Sequence, residues 1–114
     1  DTGGGSSFSM LRTMAAAYEI GQLNGHPLHP AQLLWLATMG SARSLHLDHE
    51  IGSLAPGKYA DLVVLDLAST PAIAQRQRRA NDHWSSLFPT IMMGDDRAIH
   101  SVWIKGAEWH SKTS

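Results

Sequence analysis

Cysteine is absent from this sequence, and its absence excludes two kinds of stabilisation. With no cysteine among 114 residues, the chain forms no disulfide and offers no thiolate ligand to a metal. A metal site would therefore have to use histidine nitrogens or carboxylate oxygens. A chain without disulfides is typical of the reducing interior of a cell, so we expect a cytoplasmic location.

An excess of either charge is also lacking. The 9 basic and 10 acidic residues give a net charge of −1, which provides no positive field for phosphate backbones or anionic lipid heads. No apolar run approaches the roughly 20 residues that cross a bilayer, and residues 1–9 lack the basic and apolar regions of a signal peptide. We therefore expect neither nucleic acid nor a membrane as a partner.

The densest pattern that is present lies between residues 51 and 67. Leu62–Leu65 is an unbroken apolar run, typical of a strand that is covered on both faces. Before it, Pro56-Gly57 predicts a type II turn, because proline presets the first corner and glycine accepts the positive φ of the second. The sequence therefore predicts that 51–54 and 60–67 form two short strands that reverse on each other.

Helical spacing dominates the first half of the chain. Apolar side chains recur three and four residues apart and predict a helix over 9–24 that Gly25 ends; they are Met10, Leu11, Met14 and Tyr18. Pro30 is placed to open a second helix that runs to Met39, with Gly40 closing or kinking it. A short helix over 41–47 is expected to follow.

The second half mixes helices and strands. Ser69 or Thr70 is expected to cap a short helix that Pro71 opens, and 83–93 predicts a helix that ends near Phe88, with an extended piece after Pro89. Residues 99–104 alternate as a strand that turns at 105–106 into a second strand over 107–110. The expected core consists of Leu62, Val64, Val102 and Ile104 on strands and Leu33, Leu36 and Leu45 on helices.

Polar side chains offer several candidate sites, and the structural interpretation is favoured for each. The H-x-x-H pairs are His26 with His29 and His46 with His49; this spacing can present two imidazoles to one ion, but the first pair is interrupted by proline and the second lies at a helix end. The arginines at 76, 78 and 79 suit a solvated helix face better than a phosphate site. Arg97 is expected to bridge Asp95 or Asp96 and so fix a turn.

Three ordered motifs carry a resemblance to a known family. Residues 52–66 read GSLAPGKYADLVVLD, which resembles the segment that follows the barrel in metal-dependent amidohydrolases. Residues 1–11 read DTGGGSSFSML and are similar to the loop after the eighth barrel strand in the guanine deaminase family. Residues 94–106, with the pattern G-D-D-R-x-I-x-x-V-x-x-x-G, resemble the carboxyl end of the same family.

The resemblance implies a fold class and a division of the chain. We expect an α+β chain that contains the end of an amidohydrolase (β/α)8 barrel, namely the last-strand loop and its helices, together with strands of an accessory β-sandwich. A complete barrel takes about 250 residues, so the chain is expected to be the carboxy-terminal portion of a longer enzyme. Residues 1–49 would form the terminal barrel loop and helices, and residues 50–114 the sandwich strands with inserted helices.

The resemblance also implies a role for Asp1. At this position the family has an aspartate that binds Zn2+ and takes a proton from the metal-bound water, and a carboxylate suits both tasks. Read without the sequence that follows it, Asp1 is better interpreted as an ordinary aspartate that caps a turn. The family's H-x-H pair, its two later histidine ligands and its proton-shuttling glutamate have no counterpart in this sequence, so we expect the chain alone to be inactive and to bind zinc weakly.

The implied activity is hydrolytic deamination of guanine to xanthine and ammonia by a zinc-activated water, with a small purine as substrate. Two alternatives stay open. The parent could be another amidohydrolase, such as a chlorohydrolase or an adenosine-type deaminase, or the chain could be a non-catalytic interaction module that exposes Trp84, Phe88 and Met92. We also expect a homo-oligomer, because the apolar face of the first helix would otherwise lack a cover.

Overall fold

The fold is seen in a computed structural model of the chain, which describes residues 4–5 and 7–113. Its elements, in order, are α1 (Met10–Leu23), α2 (Pro30–Trp35), a π-helical segment (Leu36–Gly40), α3 (Ser41–Ser44), β1 (Leu62–Leu65), α4 (Pro71–Gln77), α5 (His83–Met93), a 3-10 turn (Asp96–Ala98), β2 (Ile99–Ile104) and β3 (Ala107–Ser111). Within this described part the strands form an open sheet of order β1-β2-β3. The α+β class is confirmed.

Helix α1 forms where its apolar spacing predicts it. Leu11, Met14 and Ala15 are its buried residues, and they share one face because their positions are three and four apart. The helix ends in a Schellman motif: Gly25 takes a φ of +73°, and the amide of His26 donates to the carbonyl of Gly21 at 2.8 Å. The predicted left-handed role of Gly25 is confirmed.

The core lies between helices rather than over the sheet. Leu11 and Met14 of α1, Leu33 of α2 and Ile91 of α5 form it, together with Ala98. Leu33 and Ile91 retain 1% and 0% of their accessible surface. Because three apolar helix faces meet here, each helix buries the faces of the others.

The predicted core was right for Leu33 and wrong in its emphasis on the strands. Val64 and Ile104 are 43% and 42% exposed, and Leu62 and Val102 are half-buried. On the helices, the predicted Leu36 and Leu45 are 46% and 66% exposed. The physical reason is that no second layer packs on the sheet within the described residues, so an apolar strand stays open to solvent.

The sheet is antiparallel and irregular. Strands β1 and β2 pair with Val63 opposite Val102, and a bulge shifts the register at Val64/Leu65; β2 and β3 pair through the predicted turn at Lys105-Gly106, whose φ angles are 51° and 79°. Positive φ at both central residues is the hairpin geometry that matches strand twist. The prediction that β1 is covered on both faces was wrong, because Val63 and Val64 are exposed.

Three further boundaries differ from the sequence prediction. Residues 51–53 form bends and residue 54 is irregular, where a strand was predicted. The amide of Tyr59 donates to the carbonyl of Glu50 at 2.9 Å and closes a loop here. The second helix does not stop at Gly40 but continues through the π-helical segment into α3, which ends at Ser44. Helix α5 runs through Pro89 to Met93, whereas an end near Phe88 was predicted.

Burial explains why α5 continues past proline. Pro89 removes one backbone donor and crowds the preceding turn, at a cost of about 3 kcal/mol in a helix interior. Pro89, Thr90 and Ile91 are all buried, so an extended segment here would have to withdraw Ile91 from the core. Burying one large aliphatic side chain such as Ile91 is worth about 1.5–3 kcal/mol, and the apolar ring of Pro89 is buried beside it.

In the described residues, helices are too short or too polar to cross a bilayer.

Candidate functional site

The segment that carries the predicted catalytic residue is only partly described. Asp1 lies outside the described residues, so its predicted role as metal ligand and proton acceptor is untested. From Ser7 onward the chain is ordered by local bonds: the amide of Ser9 donates to Ser7 Oγ at 3.0 Å, and Thr13 Oγ1 donates to the carbonyl of Ser9 at 3.4 Å. These bonds lead the loop into the first turn of α1.

Helix α1 is held firmly where this loop enters it. Leu11 is buried against the end of α5, and a Cβ placed on Gly94 would lie 3.1 Å from Leu11 Cδ1 and would overlap the carbonyl of Thr90. The buried Gly94 therefore permits a close approach that a larger residue would prevent. The loop that follows Asp1 consequently meets a fixed helix.

The described residues do not fit a metal site by themselves. No group of three or more His, Asp or Glu side chains is placed to hold an ion in residues 4–5 and 7–113. In the first H-x-x-H pair, His29 is a helix cap; in the second, His46 has a left-handed φ of 58° and His49 lies 3.7 Å from Glu50. The structural interpretation of both pairs is therefore favoured, and we derive no catalytic step from these residues.

A cavity of about 500 Å³ opens on the side of the helical core. It lies between the second half of α1, the 27–30 connector, α4 and the start of α5, and its lining includes Tyr18, Gln22, His29, Arg76 and Trp84. The volume falls within the range of about 300–1,000 Å³ that is usual for small-molecule sites. Aromatic and polar side chains thus meet in one concave surface.

Two helix caps fix the polar rim of the cavity. His29 Nδ1 accepts a bond from the amide of Ala31 at 3.1 Å, and Gln32 Oε1 accepts from the amide of His29 at 2.7 Å. Asp82 Oδ1 accepts from the amide of Ser85 at 2.7 Å and from its hydroxyl at 2.8 Å. Both are capping boxes, so neither His29 nor Asp82 is free to rotate away.

The same bonds set the ionisation of Asp82. The backbone amide of Ser85, followed by its hydroxyl, holds the pKa of Asp82 below its ordinary value of 3.8, because both donors favour the carboxylate over the acid. The side chain is therefore charged at neutral pH. Arg76, which lines the same cavity, supplies the opposite charge.

The sequence interpretation missed the capping roles of His29 and Asp82. A signal was available for both: Pro30 stands at the first position of α2 with Gln32 two residues later, and Asp82 stands three residues before Ser85. Of the arginine cluster, Arg76 reaches the cavity, whereas Arg78 and Arg79 are exposed beyond the end of α4. The predicted bridge of Arg97 is confirmed with Asp95, at 2.8 Å.

Similarity to known proteins extends along almost the whole chain. The model of the amidohydrolase family matches residues 1–108. The guanine deaminase of Escherichia coli K12 is 40% identical over 106 residues, which are 93% of this chain and 24% of that protein. The chain therefore spans about a quarter of the length of this relative.

Solved structures show the same likeness. The structure of Escherichia coli guanine deaminase superposes with a TM-score of 0.93 at 37% identity, covering 99% of this chain and 26% of that one. An adenosine deaminase from Xanthomonas campestris with bound zinc superposes with a TM-score of 0.70 at 27% identity, covering 90% of this chain and 22% of that one. The fold of the described residues is thus shared with two deaminases, and more fully with the first.

Proposed function

Since this chain belongs to the amidohydrolase family, we propose that it is the carboxy-terminal part of a guanine deaminase, which hydrolyses guanine to xanthine and ammonia. One observation carries the proposal: the TM-score is 0.93 against a guanine deaminase and 0.70 against an adenosine deaminase. Shared fold alone would not discriminate between these substrates. The difference in likeness, together with 40% sequence identity, favours guanine.

The proposal also assigns the two parts of the chain. Residues 1–49 would be the loop after the last barrel strand and the helices that follow, and residues 50–114 would supply strands of the accessory sandwich. The exposed faces of β1 and β3 support this assignment, because strands with apolar residues in solvent are typical of a sheet that has another layer in the complete protein.

A metal belongs to the proposal through the family and through the zinc-bound neighbour. Zinc in such an enzyme would supply a nucleophilic water at neutral pH. We assign Asp1 as the one ligand that this chain contributes; the remaining ligands would come from other parts of the parent, because the sequence contains no H-x-H pair. The described residues would act by fixing α1, and hence the carboxyl end of the loop that bears Asp1.

A substrate panel on the full-length parent tests this function. We expect guanine to be deaminated with a higher kcat/KM than adenosine or a chlorinated triazine, with ammonia released from guanine in equal amount to xanthine. A preference for adenosine would support the second candidate, the adenosine-type deaminase that the neighbour at TM-score 0.70 represents. Release of chloride from the triazine as the best reaction would overturn both. A cytoplasmic location and a homo-oligomeric state stay predictions.

A further inference from the structure

The cavity beside α5 is bounded by Tyr18, His29, Arg76, Asp82 and Trp84, and the proposed deamination assigns a role to none of them. Its walls are aromatic. Tyr18 and Phe88 contact each other edge to face with ring centroids 5.0 Å apart, and Trp84 meets His29 in the same manner at 6.0 Å. Because the rings hold one another in place, they form a preorganised surface on which a flat ligand can stack.

The polar groups of this cavity include both donors and acceptors. His29 Nδ1 is occupied as an acceptor, so the neutral ring carries its hydrogen on Nε2, which can donate. Tyr18 Oη accepts from Gln22 Nε2 at 2.9 Å, which leaves the phenol hydrogen and Gln22 Oε1 available. Asp82 uses Oδ1 for both bonds from Ser85, so Oδ2 can accept a further bond.

The charges narrow the class of ligand. Asp82 opposes a simple anion and Arg76 opposes a simple cation, since both line the same cavity. The side chains that carry these donors and acceptors are exposed, or half-buried in the case of Tyr18, so water satisfies them in the free chain. An aliphatic ligand would displace that water without replacing its hydrogen bonds. A flat heterocycle that carries ring N–H donors and ring nitrogen or carbonyl acceptors satisfies both the aromatic walls and the polar rim.

We propose that this cavity binds a planar nitrogen heterocycle, which stacks on Trp84 and donates a ring N–H to the carboxylate of Asp82. His29 Nε2–H and the Tyr18 hydroxyl donate to the acceptors of the ligand. Trp84 is 39% exposed, so a ligand can reach the ring without disrupting the core. This inference does not depend on guanine deamination, because it rests on the geometry of the described helices alone.

Calorimetric titration of the full chain with hypoxanthine tests the proposal. Saturable binding is expected at one site. Trp84→Leu removes the stacking surface and is expected to weaken binding at least about tenfold, as loss of one base–aromatic stack does. Asp82→Asn keeps a good helix cap and is expected to weaken binding about tenfold by removing a charged acceptor. Trp109→Leu, a change of the same kind at an exposed tryptophan on β3, is expected to leave the affinity unchanged.

Two outcomes would overturn the site. The first is a failure of the parent chain to bind hypoxanthine, or binding that is equally tight in Trp84→Leu and Asp82→Asn. Circular dichroism would confirm that both variants are folded. The second is saturable binding of choline or benzoate in preference to hypoxanthine, which would show that the cavity selects a cation or an anion. Inactivity of the full-length parent on guanine would leave this result untouched, so the two proposals fail separately.

Discussion

Individual side chains decide where the stability of this chain lies. Ile91 is fully buried among Leu11, Met14 and Leu33, whereas Ile20, on the outer side of α1, is 55% exposed. The same substitution at both positions therefore distinguishes the effect of burial on stability from the effect of the residue type alone. A buried aliphatic side chain also leaves a cavity when it is shortened, which adds to the loss of transfer free energy.

Ile91→Ala is expected to lower the free energy of unfolding by about 2–5 kcal/mol. Ile20→Ala should change it by less than about 0.5 kcal/mol, because the site is exposed and alanine is a good helix former. Urea unfolding followed by circular dichroism measures both. Equal losses in the two variants would show that the helical core is misplaced.

Val64→Asp tests a sequence prediction that the structure corrects. A strand covered on both faces would unfold with this change, because an unpaired buried charge costs several kcal/mol. Val64 is 43% exposed, so we now expect the variant to remain folded and to melt within a few degrees of the parent chain. Loss of the folded state would restore the original prediction of a buried strand.

The ionisation of Asp95 makes the stability of the fold depend on pH in a definite direction. The Arg97 side chain, followed by the backbone amide of Arg97, lowers the pKa of Asp95 below 3.8. Since the folded pKa lies below the unfolded one, this carboxylate stabilises the fold at pH values above 3.8, and the stabilisation is lost as the pH falls through the folded pKa.

Comparing the thermal stability of the parent chain with that of Asp95→Asn tests this pH dependence. Thermal melting should show a lower melting temperature for the variant at pH 7, and a difference that shrinks as the pH is lowered below 3.8. Arg97 is largely exposed and Asp95 is half-buried, so added salt should also reduce the difference. A difference that grows on acidification would contradict the assignment of the pair.

At the scale of elements, the π-helical segment depends on the fit between Gly40 and Trp35. A Cβ on Gly40 would lie 2.7 Å from Trp35 Cζ3, closer than van der Waals contact. Arg43 also lies over the Trp35 ring, with its guanidinium carbon 5.9 Å from the centroid. The ring therefore occupies the space that any side chain at position 40 would need.

Gly40→Ala is expected to lower stability by about 1–3 kcal/mol through overpacking. In a Trp35→Leu background the obstacle is removed, and the same change should become neutral or stabilising by up to about 1 kcal/mol, because alanine exceeds glycine as a helix former. Chemical denaturation of the parent chain, the two single variants and the double variant measures the coupling energy between positions 35 and 40. Equal effects in both backgrounds would contradict the contact.

The elements also show which parts of the fold the sequence can predict. Helix α1 and strands β2 and β3 follow from apolar spacing and turn residues, which act locally. The continuation of α5 through Pro89 does not, because the local penalty of proline is outweighed by burial of Ile91 against two distant helices. The core residues were also mispredicted because the helices that pack together are far apart in the sequence. Periodicity identifies an apolar face but does not identify which element covers it.

The candidate site was less predictable from the sequence than the helices and strands were. The role of Asp1 was inferred from a family motif, and Asp1 lies outside the described residues. The capping boxes at His29 and Asp82 could have been read from the sequence, whereas their meeting in one cavity could not, because it requires the packing of α1, α4 and α5. Local spacing therefore predicts single roles, and tertiary packing assembles them.

At the scale of the whole molecule, much apolar surface remains in solvent. Phe8, Leu23, Leu54 and Trp109 are each more than 70% exposed, at 95%, 81%, 74% and 72%. The sequence prediction located the uncovered surface on one face of α1; this was wrong for Leu11 and Met14, which α5 and α2 cover. The remaining exposed side chains lie elsewhere on the helices, loops and β3.

Self-association of the chain follows from this surface. Trp109 exposes a large apolar ring on β3, and β3 is an edge strand of the sheet in the described residues, so it can pair with a strand of another copy. Sedimentation equilibrium at micromolar concentration is expected to show a dimer or a larger assembly. Trp109→Lys should weaken association, because it places a charge on the edge strand. A monomer at all concentrations would contradict this prediction.

We propose that this chain supplies Asp1 to the metal site of a guanine deaminase, and kcat/KM for guanine in the full-length parent tests this role most directly. Loss of partners that merely orient a metal ligand costs about 10–100-fold, so Asp1→Asn should lower kcat/KM by at least about 100-fold. Asp96→Asn, a matched change at an exposed aspartate, should alter it by less than about threefold. An Asp1→Asn enzyme that deaminates guanine at the parent rate would contradict the claim.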